Sequence, residues 1–194
     1  LAEHGLRPVV FERGAPVDER VEKVEHFYRT GELCPDTNIQ FGAGGAGTFS
    51  DGKLVTRIGD ARTSYVLEKL REMGAPDDIT KLAKPHIGTD VLAEVVKHMR
   101  EEIIRLGGTV RFDTQVTDLL TEQSRVCGVK VSFADPQTGA PAEEEIKSSV
   151  VVLAIGHSAR DTFSMLLDRK VPMEQKAFAV GLRIQHPQKM INLS

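Results

Sequence analysis

The chain has only two cysteines, Cys34 and Cys127, far apart and without a CxxC pattern. That scarcity argues against a disulfide framework, a cysteine zinc site and a thioredoxin-type redox pair. Long apolar runs are missing too: no uncharged stretch approaches the roughly 20 residues a membrane span needs. Neither sign of charge dominates, since 25 Lys and Arg against 28 Asp and Glu leave a net charge of −3. The basic face that nucleic acid would require is therefore not expected. The histidines show no HxxxH or HxH spacing, so no metal site is expected. Internal repeats and low-complexity segments are also lacking.

What is present suits a cytosolic globular protein: 194 residues, 40% hydrophobic and 27% charged, enough for one buried core. Leu1-Ala2-Glu3-His4-Gly5-Leu6 reads as the last turn of a helix closed by glycine. No basic stretch followed by an apolar one opens the sequence, so no signal peptide is expected there. The residues from Met190 to Ser194 carry no terminating signal. Both ends read as cut, and the expectation is an internal fragment of a longer enzyme.

Along the chain, Pro8 to Phe11 reads as a short buried strand ending on Glu12, the second half of a βαβ unit. Residues 15 to 40 read as polar and irregular, with the charged run Asp18 to Glu25 making a solvated helical turn or two. Residues 61 to 73 read as a helix with Val66, Leu67, Leu70 and Met73 on one face. A stronger helix runs from a Thr89-Asp90 cap to Gly107-Gly108, with Leu92, Val95, Val96, Met99, Ile103 and Leu106 in helical period. Thr109 to Phe112 follows as a strand, and Val116–Leu120, Val126–Phe133 and Glu143–Lys147 read as an antiparallel meander. Its second turn carries Asp135, Pro136, Gly139 and Pro141. Ser149 to Ile155 is almost wholly apolar, as a strand covered on both faces must be. A helical stretch around Thr162 to Leu167 and a last strand, Ala177 to Ile184, complete the expectation.

Three places could carry chemistry. Glu12, at a strand end, is either an ordinary solvated carboxylate or the acid that accepts hydrogen bonds from a ribose. A ribose-binding acid lies about 20 residues beyond a GxGxxG, which here would fall before Leu1. The second place is the glycine-rich loop Phe41 to Leu54, holding five of the chain's 17 glycines. Closely spaced glycines let consecutive N–H groups face one concavity and admit a phosphate or a flat ring. Thr48, Ser50 and Lys53 add donors, and Phe41, Phe49 and Leu54 are apolar anchors that a freely flexible loop would lack. Gly47 to Lys53 also fits the GxxxxGK of a Walker A motif, but Leu54 stands where a Ser or Thr would bind magnesium. The third place is Val150 to His157, an apolar run ending on Gly156, where the chain could turn close against a ligand.

Taken in order, these segments resemble the two-dinucleotide-binding-fold FAD-dependent oxidoreductases, most of all the dehydrogenases labelled NAD(FAD)-utilising. The resemblance rests on Gly42 to Leu54, on Lys84-Pro85-His86-Ile87-Gly88-Thr89-Asp90, on Ala154 to Asp161 and on Phe178 to Gln188. It implies an α/β fold: a Rossmann-like, three-layer FAD/NAD(P)-binding domain with an antiparallel β-meander, incomplete at both ends. It divides the chain into a partial FAD-binding domain with its flavin loop (1–60) and a helical segment (61–108). A strand, meander and closing strand follow (109–161), then the start of a substrate or cap region (162–194). By the resemblance, Glu12, with Arg13 beside it, would hold the adenosine ribose. Gly42, Gly44, Gly45, Gly47, Thr48, Ser50, Asp51, Gly52 and Lys53 would lie along the pyrophosphate, ribityl chain and flavin. Val116 would present its backbone to the adenine, and Gly156 would pass close to the cofactor.

The implied activity is that of an FAD-dependent dehydrogenase acting on an unnamed small molecule, with NADH or NADPH as a candidate reductant. No nucleic-acid or membrane partner is expected. No catalytic base is nominated; His86 and His186, each near a proline, are weighed as flavin- or substrate-side residues against ordinary structural roles. Two alternatives stay open at this point: a nucleotide-binding phosphotransferase, resting on the near Walker A match, and a non-catalytic truncated remnant or interaction module.

Overall fold

Val9, Val10 and Phe11 form a three-residue strand, β1 (Val9–Phe11), because β-branched and aromatic side chains suit a pleated, half-buried surface. It pairs in parallel with β2 (Thr109–Arg111), in the register Val9↔Thr109, Val10↔Val110 and Phe11↔Arg111. A parallel pair needs a long crossover, and helices supply much of it. The computed structural model describes residues 1–49, 52–54, 59–82, 84–182 and 184–192. The crossover contains α1 (Val17–Thr30), α2 (Arg62–Glu72) and α3 (Thr89–Arg105). The opening residues form a short 3₁₀ turn, Ala2–His4, closed by Gly5 in the left-handed region at φ 74°.

The run Asp18 to Glu25 departs from expectation. It belongs to a 14-residue helix, α1, whose inner face is Val17, Arg20 and Val24. Those positions fall at i, i+3 and i+7, one stripe of a helix, so the charges between them are solvated while the stripe is not. Leu67, Leu70 and Met73 of the α2 segment pack on a core of Ala75, Ile79, Ile87, Leu92 and Val95. Val66 stays exposed. The N-cap of α3 is Gly88, at φ 83°, one residue ahead of the expected Thr89-Asp90 cap.

The meander forms as read. β3 (Thr114–Glu122), β4 (Arg125–Ala134) and β5 (Pro141–Lys147) make a three-stranded antiparallel sheet in that order. Gln123 and Ser124 join β3 to β4, both at positive φ (48° and 63°), the signature of a two-residue hairpin loop whose twist matches the strands. Asp135 organises the second turn: its Oδ1 accepts from the backbone N–H groups of Thr138 and Gln137 and from the Thr138 hydroxyl. Those bonds hold its carboxyl below the usual aspartate range. One face of the sheet carries Leu119, Val129 and Val131, which meet Leu166 of α4 (Arg160–Asp168). Phe11 and Val151 pack against the same cluster.

Two expected strands are not strands. Neither sheet includes 149–155, and the side chain of Val152 is 74% exposed. The segment expected as Ala177 to Ile184 likewise joins no sheet among the described residues; Leu182 is 93% exposed, and residue 183 lies outside the described set. An apolar run becomes a strand only where a second strand completes its hydrogen bonds, and the described residues offer neither segment one. A short helix, α5 (Gln188–Ile191), follows. Among the described residues no helix is long and apolar enough to cross a membrane.

Candidate functional site

The carboxyl end of β1 is where the chain's separate segments meet. Glu12 continues the ladder: its N–H donates to the Arg111 carbonyl (2.9 Å), and its own carbonyl accepts from Thr114 N–H (3.1 Å). Its carboxylate Oε1 accepts from Gly14 N–H at 2.8 Å. Gly14 then touches the glycine-rich loop, since a Cβ built on it would lie 2.5 Å from the Asp36 carbonyl oxygen and 2.6 Å from Gly42 Cα. Ala15 fastens the contact from both sides. Its N–H donates to Thr37 Oγ1 (2.9 Å), and its carbonyl accepts from Ala43 N–H (3.2 Å).

The loop is shaped by two buried polar side chains outside the expected set. Asn38 Oδ1 accepts from the N–H groups of Gln40 and Phe41, while its Nδ2 donates to the carbonyls of Cys34 and Pro35. Arg20, fully buried, reaches up from α1 beneath the loop. Nε donates to Asn38 O (3.0 Å) and Nη2 to Ile39 O (3.0 Å). Nη1 contacts the carbonyls of Ala43 (2.5 Å), Gly45 (2.8 Å) and Gly42 (3.2 Å). Its guanidinium carbon sits 4.7 Å from the centre of the Phe49 ring, a cation–π contact. Burial lowers its pKa to about 10, with the charge of Glu12 pulling the other way.

A fourth segment closes on the same edge. Arg13 Nη1 pairs with Asp161 Oδ2, and Arg13 Nε lies 2.5 Å from Asp36 Oδ1, a close ion-pair contact. Gln115 Nε2 donates to the same Asp161 oxygen at 2.9 Å, and Gln40 Nε2 bonds Ser158 Oγ. Ser158 Oγ also contacts His157 Nδ1 at 2.5 Å. Segments 12–15, 36–45, 113–116 and 157–161 are thus tied into one edge. At its rim Asp113 takes a left-handed turn at φ 48°. Its carboxyl is raised above the usual aspartate range by partial burial, then by the charge of Glu19, with Lys23 opposing and Asp36 adding.

The expected site residues divide accordingly. Glu12, Arg13, Gly42 and Val116 stand at or beside this edge, with Val116 half-buried and paired to Val131 in the ladder. Gly44, Gly45 and Gly47 form the exposed crest of the loop. Thr48 lies behind the crest: it is fully buried, and a Cβ on Gly44 would meet its Oγ1 at 2.2 Å. A hydroxyl enclosed there is not presented as a surface donor. Ser50 and Asp51 lie outside the described residues. Gly52 and Lys53 turn the other way, onto the segment 85–88. Ile87 N–H donates to Gly52 O (3.0 Å), Leu54 N–H to Pro85 O (2.9 Å), and Lys53 bridges His86. Gly156 occupies an exposed turn at φ 70° just ahead of the closing segment. Arg20, Asn38, Gln115 and Asp161 are outside the expected site residues; Asp161 appeared only as the end of the segment 154–161, and Arg20 left a trace in the stripe with Val17 and Val24.

No protein-family model matches the chain. A curated relative from Clostridium beijerinckii, described only as an uncharacterized protein, is 47% identical over all 194 residues. The chain spans 34% of that relative, about a third of its length. Among solved structures, Thermovibrio ammonificans THI4 is similar with a TM-score of 0.50 at 20% identity, across 89% of this chain and 56% of that one. At that identity the likeness is one of fold, and it joins the mixed parallel and antiparallel α/β architecture of this chain to that of a known protein.

Proposed function

We propose that the edge at the end of β1 is the FAD site of an oxidoreductase, and that this chain supplies the ribose- and pyrophosphate-binding part of it. The observation that carries the reading is convergence. Glu12, the glycine-rich loop and the segment after Gly156 are far apart in sequence yet tied together through Gly14, Arg13, Gln40 and Asp161. The fold shared with THI4 is one we read as FAD/NAD(P)-binding, which agrees with this placement.

The residues present fit such a group. The close approach of Gly14 to Gly42 leaves backbone, not side chains, at the loop, which a pyrophosphate requires. A buried guanidinium held by backbone carbonyls lies beneath that loop, and its positive charge favours an anion above it. Glu12 spends one acceptor position on Gly14 N–H; an ionised carboxylate has several more, enough for a ribose hydroxyl. Bound flavin would supply the electron-transfer chemistry, and the protein the binding, orientation and electrostatics. On this reading the substrate is a small molecule, NADH or NADPH is the candidate reductant, and the compartment is cytosolic. The phosphotransferase alternative gains nothing from the fold. Gly52 to Leu54 run against 85–87, where a P-loop would start a helix.

The test is the visible absorption spectrum of the purified chain, before and after incubation with FAD and removal of free ligand. The same measurement is made on the full-length Clostridium relative. Retained flavin bands in either are expected. Colourless protein in both, with magnesium-dependent nucleotide binding in their place, would overturn the assignment.

A further inference from the structure

We propose that Arg20 is the positioning residue of the glycine-rich loop: from below, it turns the loop's carbonyl oxygens inward and so aims the amides of Gly44 and Ala46 outward at a diphosphate. The inference rests on reading the loop as a pyrophosphate cradle.

The geometry is that of a fork inside a ring. Three guanidinium nitrogens contact the carbonyls of Asn38, Ile39, Gly42, Ala43 and Gly45. No peptide bond among the described residues is cis. Across a planar trans peptide the N–H of the next residue points opposite to the carbonyl. Five carbonyls drawn inward therefore send the N–H groups of residues 39, 40, 43, 44 and 46 away from the guanidinium. Two of these are used within the scaffold: Gln40 N–H donates to Asn38 Oδ1 (2.9 Å) and Ala43 N–H to Ala15 O (3.2 Å). Gly44 and Ala46 lie on the exposed crest, so their amides project on the side away from the buried cation.

Charge and orientation then act together. A guanidinium stabilised by carbonyl dipoles and one aromatic face keeps its positive field. The low dielectric around a buried group makes that field stronger than a surface lysine's would be. Lysine could keep the charge but not the fork, because its ammonium is a point charge with three donors rather than five in a plane. The glycines beside it belong to the same device: a Cβ on Gly42 would lie 2.6 Å from Arg20 Cδ, so the loop closes over the side chain only if residue 42 has none.

The test compares the whole chain with R20M and R20K, using two probes, FAD and riboflavin, of which only FAD carries the diphosphate. Amide exchange of peptides covering 38–49 and 114–134 is followed by mass spectrometry. R20M should exchange faster in 38–49 with 114–134 unchanged. It should lose FAD affinity at least tenfold while riboflavin affinity moves less than twofold, and R20K should fall between. Unchanged FAD affinity in R20M, or equal loss of both flavins, would overturn the proposal. If R20M unfolds, as slow exchange lost from 114–134 would show, R20K decides: a loss of FAD affinity of more than twofold with riboflavin affinity unchanged supports the proposal, and unchanged FAD affinity or equal loss of both flavins overturns it. If the unsubstituted chain takes up neither flavin, the FAD reading passes to the full-length relative, and exchange in 38–49 alone decides whether Arg20 holds the loop: unchanged exchange in R20M overturns the proposal.

Discussion

Gly14 makes the tightest backbone-to-backbone approach in the candidate site, and Gly14→Ala is a sharp perturbation of it. The added Cβ would lie 2.5 Å from the Asp36 carbonyl oxygen and 2.6 Å from Gly42 Cα. Carbon atoms in good contact sit about 3.5–4.0 Å apart, so one wall must withdraw by roughly 1 Å. Neither wall is free to do so. Gly42 is backed by Arg20, whose Cδ would stand 2.6 Å from a Cβ on that residue. The Asp36 side is held by Thr37, which accepts the Ala15 N–H at 2.9 Å. Overpacking of this kind costs about 1–3 kcal/mol, and a pinned site belongs at the upper end. For a chain of this size each kcal/mol lowers the melting temperature by about 2–4 °C, so a drop of about 4–12 °C is expected. The control is Gly47→Ala in the same loop, where nothing lies within 4 Å of the new methyl and φ is not left-handed. Thermal unfolding by circular dichroism of the three proteins decides it. A melting temperature for G14A within 1 °C of the unsubstituted chain would refute the close-approach argument, as would an equal loss in G47A.

Other expectations follow from the same contacts. Ile79→Ala empties the centre of the α2–α3 core, where Ile79 is 0% exposed. It should cost about 2–5 kcal/mol in urea unfolding. Asp113→Asn keeps a residue type suited to left-handed backbone and removes a carboxyl whose pKa is raised, by burial first. A raised acid lets the folded state hold its proton longer, so stability falls as pH climbs from the ordinary aspartate range through the raised value. D113N should therefore be more stable than the parent at pH 7 and equal to it at low pH, read as urea midpoints against pH. Asp118 shows the opposite sign: hydrogen bonds from Arg169 hold it below its usual range. That contribution is present at neutral pH and is lost as pH falls through the depressed pKa. Because the pair is open to solvent screening, Arg169→Gln should lower the urea midpoint only slightly at pH 7 and not at all in acid.

The meander and α3 were legible because their signals are local. Asp135 to Pro141 announces a turn, and the spacing of Leu92 and Val95 announces a helix face. Glu12 and the glycine loop were legible as separate features, but their meeting was not, since it depends on Gly14 fitting against Gly42. Helix α1 was hidden by its own charge. By its charge Arg20 reads as a solvent-facing residue, yet it is the side chain the loop wraps. The apolar runs 149–155 and 177–184 failed in the opposite direction. Hydrophobicity along a segment announces the need for a partner strand without supplying one, and Val152 and Leu182 stand exposed.

The register of β1 on β2 has a kinetic meaning. Val9 and Thr109 are about one hundred residues apart in the chain, whereas β3, β4 and β5 join through adjacent hairpins. Contacts between distant residues form late, because loop-closure entropy must be overcome before they give any return. The meander and α3 should therefore be in place before β1 docks. The candidate site hangs on the end of that last strand, which makes it the final part of the molecule to assemble. A ligand seated there acts as a clasp on a loop of about a hundred residues, and at a hundredfold excess over its Kd it would hold that loop shut by about 2.7 kcal/mol.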